Sequence, residues 1–168
     1  MRFDEEVFAV LLAIVVVACI FTAAQSIPRH GEAFTAIGLL NEECKIGDYP
    51  RYIVVGEPIT LCIYVSNHLG KPALLQVRMK IGSRGYLPTN TTPLNTTYVV
   101  VLERVLDDGE NVTQKITFVL NRTGTNLALV FELWRFDTSV GRWVYDGKWV
   151  HLYVNVTRVV PSWGLRRG

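Results

Sequence analysis

Two hydrophobic patterns divide this chain. Val7 to Ala24 (VFAVLLAIVVVACIFTAA) is 18 residues without a charge. Beyond residue 31 apolar and polar positions alternate at period two, as in strands with one face toward a core. The alternation predicts a short strand at Phe34 to Leu40 and another at Ile59 to Val65, after the turn Val55-Gly56-Glu57-Pro58. Leu75, Val77, Met79 and Ile81 mark a third, and Tyr98 to Val105 and Val112 to Leu120 bracket the turn Asp107-Asp108-Gly109. Leu127, Leu129, Phe131 and Leu133 carry a sixth strand. Trp143 to Tyr145 and Lys148 to Val156 flank Asp146-Gly147, a two-residue hairpin signal. No long helical periodicity follows residue 30. The expected fold is all-β, an immunoglobulin-like β-sandwich of about seven or eight strands preceded by one N-terminal helix. The expected boundaries are a short inner end at 1–6, the helix at 7–24, a linker at 25–31, the sandwich at 32–157 and a tail at 158–168.

The last strand offers an internal check. Val150, Leu152, Val154 and Val156 share one face; Trp149, His151, Tyr153 and Asn155 share the other. Asn155 begins an Asn-x-Ser/Thr sequon, whose glycan must point outward, so the aliphatic face is the inner one. Trp149 and Tyr153 then face outward, as does Trp134 on the preceding long strand. Those aromatics either form a contact surface, or cap the sandwich edge, or are covered by the 138–148 hairpin.

Sequons change the picture most. They occur at Asn90, Asn95, Asn111, Asn121 and Asn155, so five of eight asparagines head one. With 19 Ser and Thr in 168 residues, composition alone would give about one. A sequon implies an exposed position outside the cytoplasm. All five follow residue 89, whereas the apolar run lies at the other end. The implied topology is a short inner end, one membrane-crossing helix and an external glycosylated domain. A bilayer core needs about 20 apolar residues, with 17 the lower limit. A cleaved signal peptide is the rival reading, since Thr22-Ala23-Ala24 and Ala24-Gln25-Ser26 resemble small-residue cleavage sites. Asp4, Glu5 and Glu6 beside Arg2 speak against it, because signal peptides begin with net positive charge.

Composition excludes more than it assigns. With 17 basic and 15 acidic residues the net charge is +2, which gives no basic face for nucleic acid. Cys19 falls in the apolar run. Cys44 and Cys62 fall outside, where disulfides persist, and are either bridged or two unpaired thiols. Their spacing fits no zinc pattern. His30, His68 and His151 have no mutual ligand spacing. Glu42-Glu43 and Asp107-Asp108 read as turn residues. No nucleophile elbow, phosphate loop or metalloprotease helix is present. No enzyme, cofactor or metal is therefore expected. The tail, Arg158 to Gly168, carries Trp163 between Pro161 and Leu165; it is a disordered end or a docking peptide.

The stretches Asp48-Tyr49-Pro50, Val55-Gly56-Glu57-Pro58 and Val65-x-Asn67-His68-x-Gly70-x-Pro72 occur in that order. Phe131-x-Leu133-Trp134 and His151-Leu152-x-Val154-Asn155-Val156 follow them. Together they resemble an archaeal membrane-protein family catalogued as domain-of-unknown-function family 1616, over about residues 32 to 157. The resemblance implies an Ig-like domain displayed outside an archaeal membrane; the family has no established activity to transfer, so it assigns no catalytic residue. Many members place several helices before the domain; one is found here.

The functional expectation is a non-enzymatic structural or interaction module of the cell envelope, anchored through 7–24, with protein partners there. A secreted subunit of a surface filament or layer is the alternative. A carbohydrate-binding module using Trp134, Trp149 and Tyr153 is a third.

Overall fold

The computed structural model describes residues 5–26 and 32–158. They fall into two units, one holding the helix and the other beginning at Ala33.

The first unit is helix α1, Glu5–Ser26. Its large apolar residues, from Val7 and Phe8 through Ile20 and Phe21, are all exposed. Because they stand at nearly consecutive positions, at 100° per residue they cover the whole circumference rather than one stripe. Among the described residues no helix is counted as long and apolar enough to cross a membrane. Within α1 the uncharged stretch with described side chains is 7–23, and Ala24 of the apolar run falls outside it.

The second unit is all-β. Its strands are β1 (Phe34–Leu40), β2 (Tyr52–Val54), β3 (Pro58–His68), β4 (Ala73–Ser83), β5 (Tyr98–Leu106), β6 (Asn111–Val119), β7 (Gly124–Asp137) and β8 (Arg142–Thr157). They form a three-stranded sheet, β1-β3-β6, and a five-stranded sheet, β2-β8-β7-β4-β5. Every pairing is antiparallel except β2 with β8. The alternation predicted the faces. Leu61, Ile63 and Val65 of β3 and Ile116 of β6 meet Leu75 and Val77 of β4, Leu129, Phe131 and Leu133 of β7, and Val154 and Val156 of β8 in one core. Phe131 is fully buried and meets Phe118 of the other sheet edge-on, ring centroids 6.3 Å apart.

Two elements depart from the sequence expectation. Asp146-Gly147 is not a hairpin: β8 runs unbroken through it, and the β7–β8 turn is at 138–141. Glu132 pairs with Trp149 but Trp134 with Tyr145, so β8 carries extra residues there as a bulge. Gly147 sits in it with φ 73°, a conformation glycine adopts without strain. The dipeptide that marks a turn also suits a bulge. The second departure is β2. Three residues are too few to display alternation, and their partners lie 103 residues downstream in β8, Tyr52 opposite Asn155.

Several residues of the family-like stretches hold turns. Asn67 is fully buried. Its amide donates to the carbonyls of Lys71 at 2.8 Å, Leu106 at 2.9 Å and Asp107 at 3.2 Å, and its Oδ1 accepts from the Leu69 N–H. It thereby ties the β3–β4 turn to the β5–β6 turn. Tyr49 donates its hydroxyl to the Leu39 carbonyl at 2.7 Å.

Cys44 and Cys62 form a disulfide, Cα atoms 5.2 Å apart, that joins the β1–β2 loop to the central strand of the smaller sheet. Asn41 shapes the loop that presents Cys44, its Oδ1 accepting from the N–H groups of Glu43 and Lys45. A bridge across a separation of 18 residues removes chain entropy amounting to roughly 3 kcal/mol. Reduction should therefore lower unfolding free energy by about 2–4 kcal/mol, measured by urea denaturation with and without dithiothreitol. An unchanged midpoint would show that the bridge does not stabilise the fold.

Candidate functional site

The chemistry-bearing residues gather on the outer face of the larger sheet. On β4, Gln76, Arg78 and Lys80 alternate with the core residues Leu75, Val77 and Met79. They sit opposite Trp134, Glu132 and Val130 of β7, which in turn oppose Tyr145, Trp149 and His151 of β8. An outer face of an antiparallel sheet ordinarily faces water. This one does not. Gln76 is 5 %, Arg78 7 %, Lys80 4 % and Glu132 0 % exposed.

The cover is the β4–β5 connection, residues 84–97, which crosses the face as a strap. Leu94 is its anchor. Its side chain packs with Ala128 and Val130, joined by Leu87, Trp149 and Tyr153. Its N–H donates to Glu132 Oε1 at 2.6 Å, and its carbonyl accepts from Lys80 Nζ at 2.6 Å. Lys80 and Glu132 form an ion pair of 2.8 Å. Glu132 Oε2 also accepts from the Trp134 indole at 3.0 Å. A charge removed from water must be paired and hydrogen-bonded, and this carboxylate meets that requirement through three separate segments. At the strap's other end, the Tyr145 hydroxyl donates to the Thr89 carbonyl at 2.8 Å. A Cβ on Gly147 would collide with the Asn90 carbonyl oxygen, so the bulge glycine also gives the strap its path. Burial, then the charges of Glu132 and Asp146, pushes the Tyr145 hydroxyl well above the usual phenol range.

Arg78 lies beside this pair with its guanidinium between the Trp134 ring, 4.0 Å to the centroid, and the Tyr98 ring at 4.4 Å. Trp134 also meets Tyr145 at a tilt, ring centroids 5.5 Å apart. His151 lies between Trp149, centroids 5.3 Å apart, and Tyr153 at 4.8 Å. Burial against these rings holds His151 below the usual imidazole value.

The aromatics singled out by sequence thus divide. Trp134 belongs to the Arg78 group, Trp149 and Tyr153 to the strap group, and Trp163 lies outside the described residues. All three described rings are partly buried, and the segment over them is 84–97 rather than the turn after β7. Asn90 and Asn95 are exposed on the strap, Asn111 at the start of β6 and Asn121 after it. Asn155 is partly buried, its Oδ1 accepting from the Asn126 N–H at 2.9 Å. Glu42 and Glu43 line a groove of about 530 Å³ with Asp48 and Glu57. Among the described residues no three His, Cys, Asp or Glu are grouped to hold a metal. Arg78, Lys80 and Glu132 were missed by sequence reasoning, because their alternation is that of a solvated face. The one available signal was Leu87 and Leu94 within an otherwise polar loop.

The sequence profile of the family described as "Domain of unknown function (DUF1616)" matches residues 28–154. The chain belongs to the DUF1616 family. The family resemblance read from the turn and strand residues is thereby borne out. No curated protein matches this DUF1616 chain. Solved structures similar to it include alkylpurine DNA glycosylase AlkC of Pseudomonas fluorescens bound to DNA containing an abasic site analog. It is 14 % identical over 73 % of this chain and 30 % of that one, TM-score 0.44. Native alpha-2-macroglobulin of Escherichia coli is 15 % identical over 75 % and 17 %, TM-score 0.44. Beta-glucosidase of Listeria innocua in complex with glucose is 10 % identical over 77 % and 17 %, TM-score 0.42. The DUF1616 chain spans less than a third of each, and these values transfer neither a fold name nor an activity.

Two outcomes follow from the geometry. Lys80→Met strands Glu132 without its counter-charge and should cost about 3–5 kcal/mol. Lys80→Met with Glu132→Gln should recover part of that loss, because the amide keeps an acceptor without the charge. Chemical denaturation reads the stabilities, and amide hydrogen exchange across 84–97 reports whether the strap has loosened. His151 gives a pH dependence. Its folded value is depressed, so below about 6.5 the unfolded chain binds the extra proton and stability falls with falling pH. The melting temperature should therefore decline between pH 7 and 5, and less so in His151→Gln; equal slopes would remove His151 as a contributor.

Proposed function

We propose that this DUF1616 chain is a membrane-anchored, N-glycosylated, non-enzymatic structural or interaction module displayed outside the cell, in an archaeal envelope as the resemblance implies. The observation that supports it best is the sequon distribution. All five lie on the β unit, with Asn90, Asn95, Asn111 and Asn121 exposed. The uncharged segment lies at the other end of the chain. A helix apolar on every side needs an apolar environment all round, either a large core or a bilayer. Residues 7–24 total 18, inside the range for a short span. The β unit suits display because two of its buried polar groups are spent internally: the Glu132 carboxylate holds a strap, and Asn67 holds turns.

We also read the two sheets as an immunoglobulin-like sandwich. With β1, β3 and β6 in the places of strands A, B and E, and β8, β7, β4 and β5 in those of G, F, C and C′, the order matches that architecture. The bridge differs from the antibody one. It ties the β1–β2 loop to β3 rather than joining the two sheets. The runner-up, a subunit joined to its neighbours by strand addition, draws on β5. That edge strand exposes Val99, Val100 and Val105, although a register shift between Val77 and Arg78 distorts the edge.

Intact-mass measurement of native protein before and after chemical deglycosylation tests the first reading. The expected result is a mass above that of the bare chain. Glycopeptide mapping should show Asn90, Asn95, Asn111 and Asn121 more fully occupied than the partly buried Asn155. A mass equal to the bare chain would sink the display reading. A chain lacking its first 24 to 26 residues would replace the anchor with a cleaved leader.

A further inference from the structure

Arg78 has a feature that the strap does not need. It is more than nine-tenths buried, yet among the described residues no carboxylate lies within ion-pair distance of it. Glu132 is engaged by Lys80, and Glu103 accepts from Gln76 at 2.6 Å. Among the described residues, the one hydrogen bond Arg78 makes to a side chain runs from Nε to Gln76 Oε1, also 2.6 Å. Gln76 is therefore a fixed bracket that sets the guanidinium plane. Trp134 and Tyr98 close its two flanks, and Trp143 stands 5.8 Å away. Ring faces attract a cation but accept no hydrogen bond in the guanidinium plane.

Among the described residues no buried side-chain nitrogen or oxygen lacks a partner. The two terminal amino groups of Arg78, which make no hydrogen bond among the described residues, therefore keep a little accessible surface, within the 7 % that the residue exposes. The cover is thin, two ring faces rather than layers of protein. It is still enough that desolvation draws the guanidinium below its ordinary value, while leaving it charged at any physiological pH. The outcome is a cation held by Gln76, dry on its flanks and without a hydrogen-bond partner among the described residues for its two terminal amino groups.

We propose that the edge carrying these amino groups binds the carboxylate of an acidic sugar. A guanidinium edge matches a carboxylate with two parallel N–H to O bonds. The neighbouring rings decide which carboxylate. Tyr98 is about half exposed, at 49 %, and Trp143 and Tyr145 are partly exposed on β8. They offer flat apolar surface beside the fork, onto which the C–H face of a pyranose can lie. A chain-terminal carboxylate with a small side chain, such as alanine, would use the fork and leave that surface empty, whereas a uronate uses both. Lys80 does not compete, since Glu132 neutralises it. The envelope reading does not depend on this site and would survive its failure.

The test is an NMR titration of purified full-length protein in detergent micelles, following the arginine Nε–H and tryptophan indole N–H resonances. The probes are glucuronate, glucose, N-acetylalanine and sulfate. Glucuronate should bind about tenfold or more tightly than each of the others, roughly the worth of one hydrogen bond to a charged group. Arg78→Lys, which keeps the charge but loses the planar fork, should abolish that preference. Trp143→Ala removes a wall without touching the bond to Gln76 and should weaken glucuronate alone, with the melting temperature as the check on folding. Equal affinity for glucose removes the fork from the site. Equal affinity for N-acetylalanine replaces the sugar with a peptide carboxylate, and equal affinity for sulfate means an adventitious ion only. If Arg78→Lys does not fold, Trp143→Ala decides: unchanged glucuronate binding overturns the proposal.

Discussion

The Glu132 carboxylate is the constraint around which the larger sheet is organised. It is fully buried, and a bare charge there would cost far more than the few kcal/mol that separate folded from unfolded protein. It is tolerated because three segments converge on it: Lys80 from β4, the Leu94 amide from the strap and the Trp134 indole from β7. The same convergence explains neighbouring features. Lys80 can be buried because it has both Glu132 and the Leu94 carbonyl. The strap lies flat because Leu94 is gripped at its N–H and its C=O. Trp134 is oriented by its indole bond, so that its face is available to Arg78. Breaking one contact of such a network leaves the others unsatisfied, which is why its parts are not worth independent amounts.

The sequence made the strands legible to the extent that they separate water from core. β1 was placed residue for residue, and the inner faces of β4 and β7 followed from alternation, that of β8 from alternation together with the Asn155 sequon. What failed shares one cause, remote contact. β2 exists because β8 offers it an edge. Asp146-Gly147 looked like a turn because a glycine with positive φ serves turns and bulges equally, and only the register with β7 tells them apart. Gln76, Arg78 and Lys80 looked solvated because a polar residue every second position ordinarily is; what covers them is a loop whose two leucines are invisible to a period-two reading. Local pattern reports which side of a strand avoids water, and it is silent about whether the other side reaches it.

The residues that link this chain to the DUF1616 family also prove informative in structural terms. Asn67 fills four hydrogen-bonding roles at once, and Tyr49 reaches back to β1. These residues fix how the loops meet.

The disulfide has a mechanical meaning distinct from its stabilising one. β2 lies inside the covalent loop closed by Cys44 and Cys62. If the chain is pulled from its N-terminal end, tension passes from Cys44 through the sulfur atoms to Cys62, and residues 45–61 hang slack. β2 and its parallel pairing with β8 are thus excluded from the force path, although parallel strands pulled from opposite ends would otherwise be loaded in shear. The pull arrives at the centre of β3, between β1 and β6. Reduction would reroute it through β2, so redox state selects which pair of strands resists a tug on the chain.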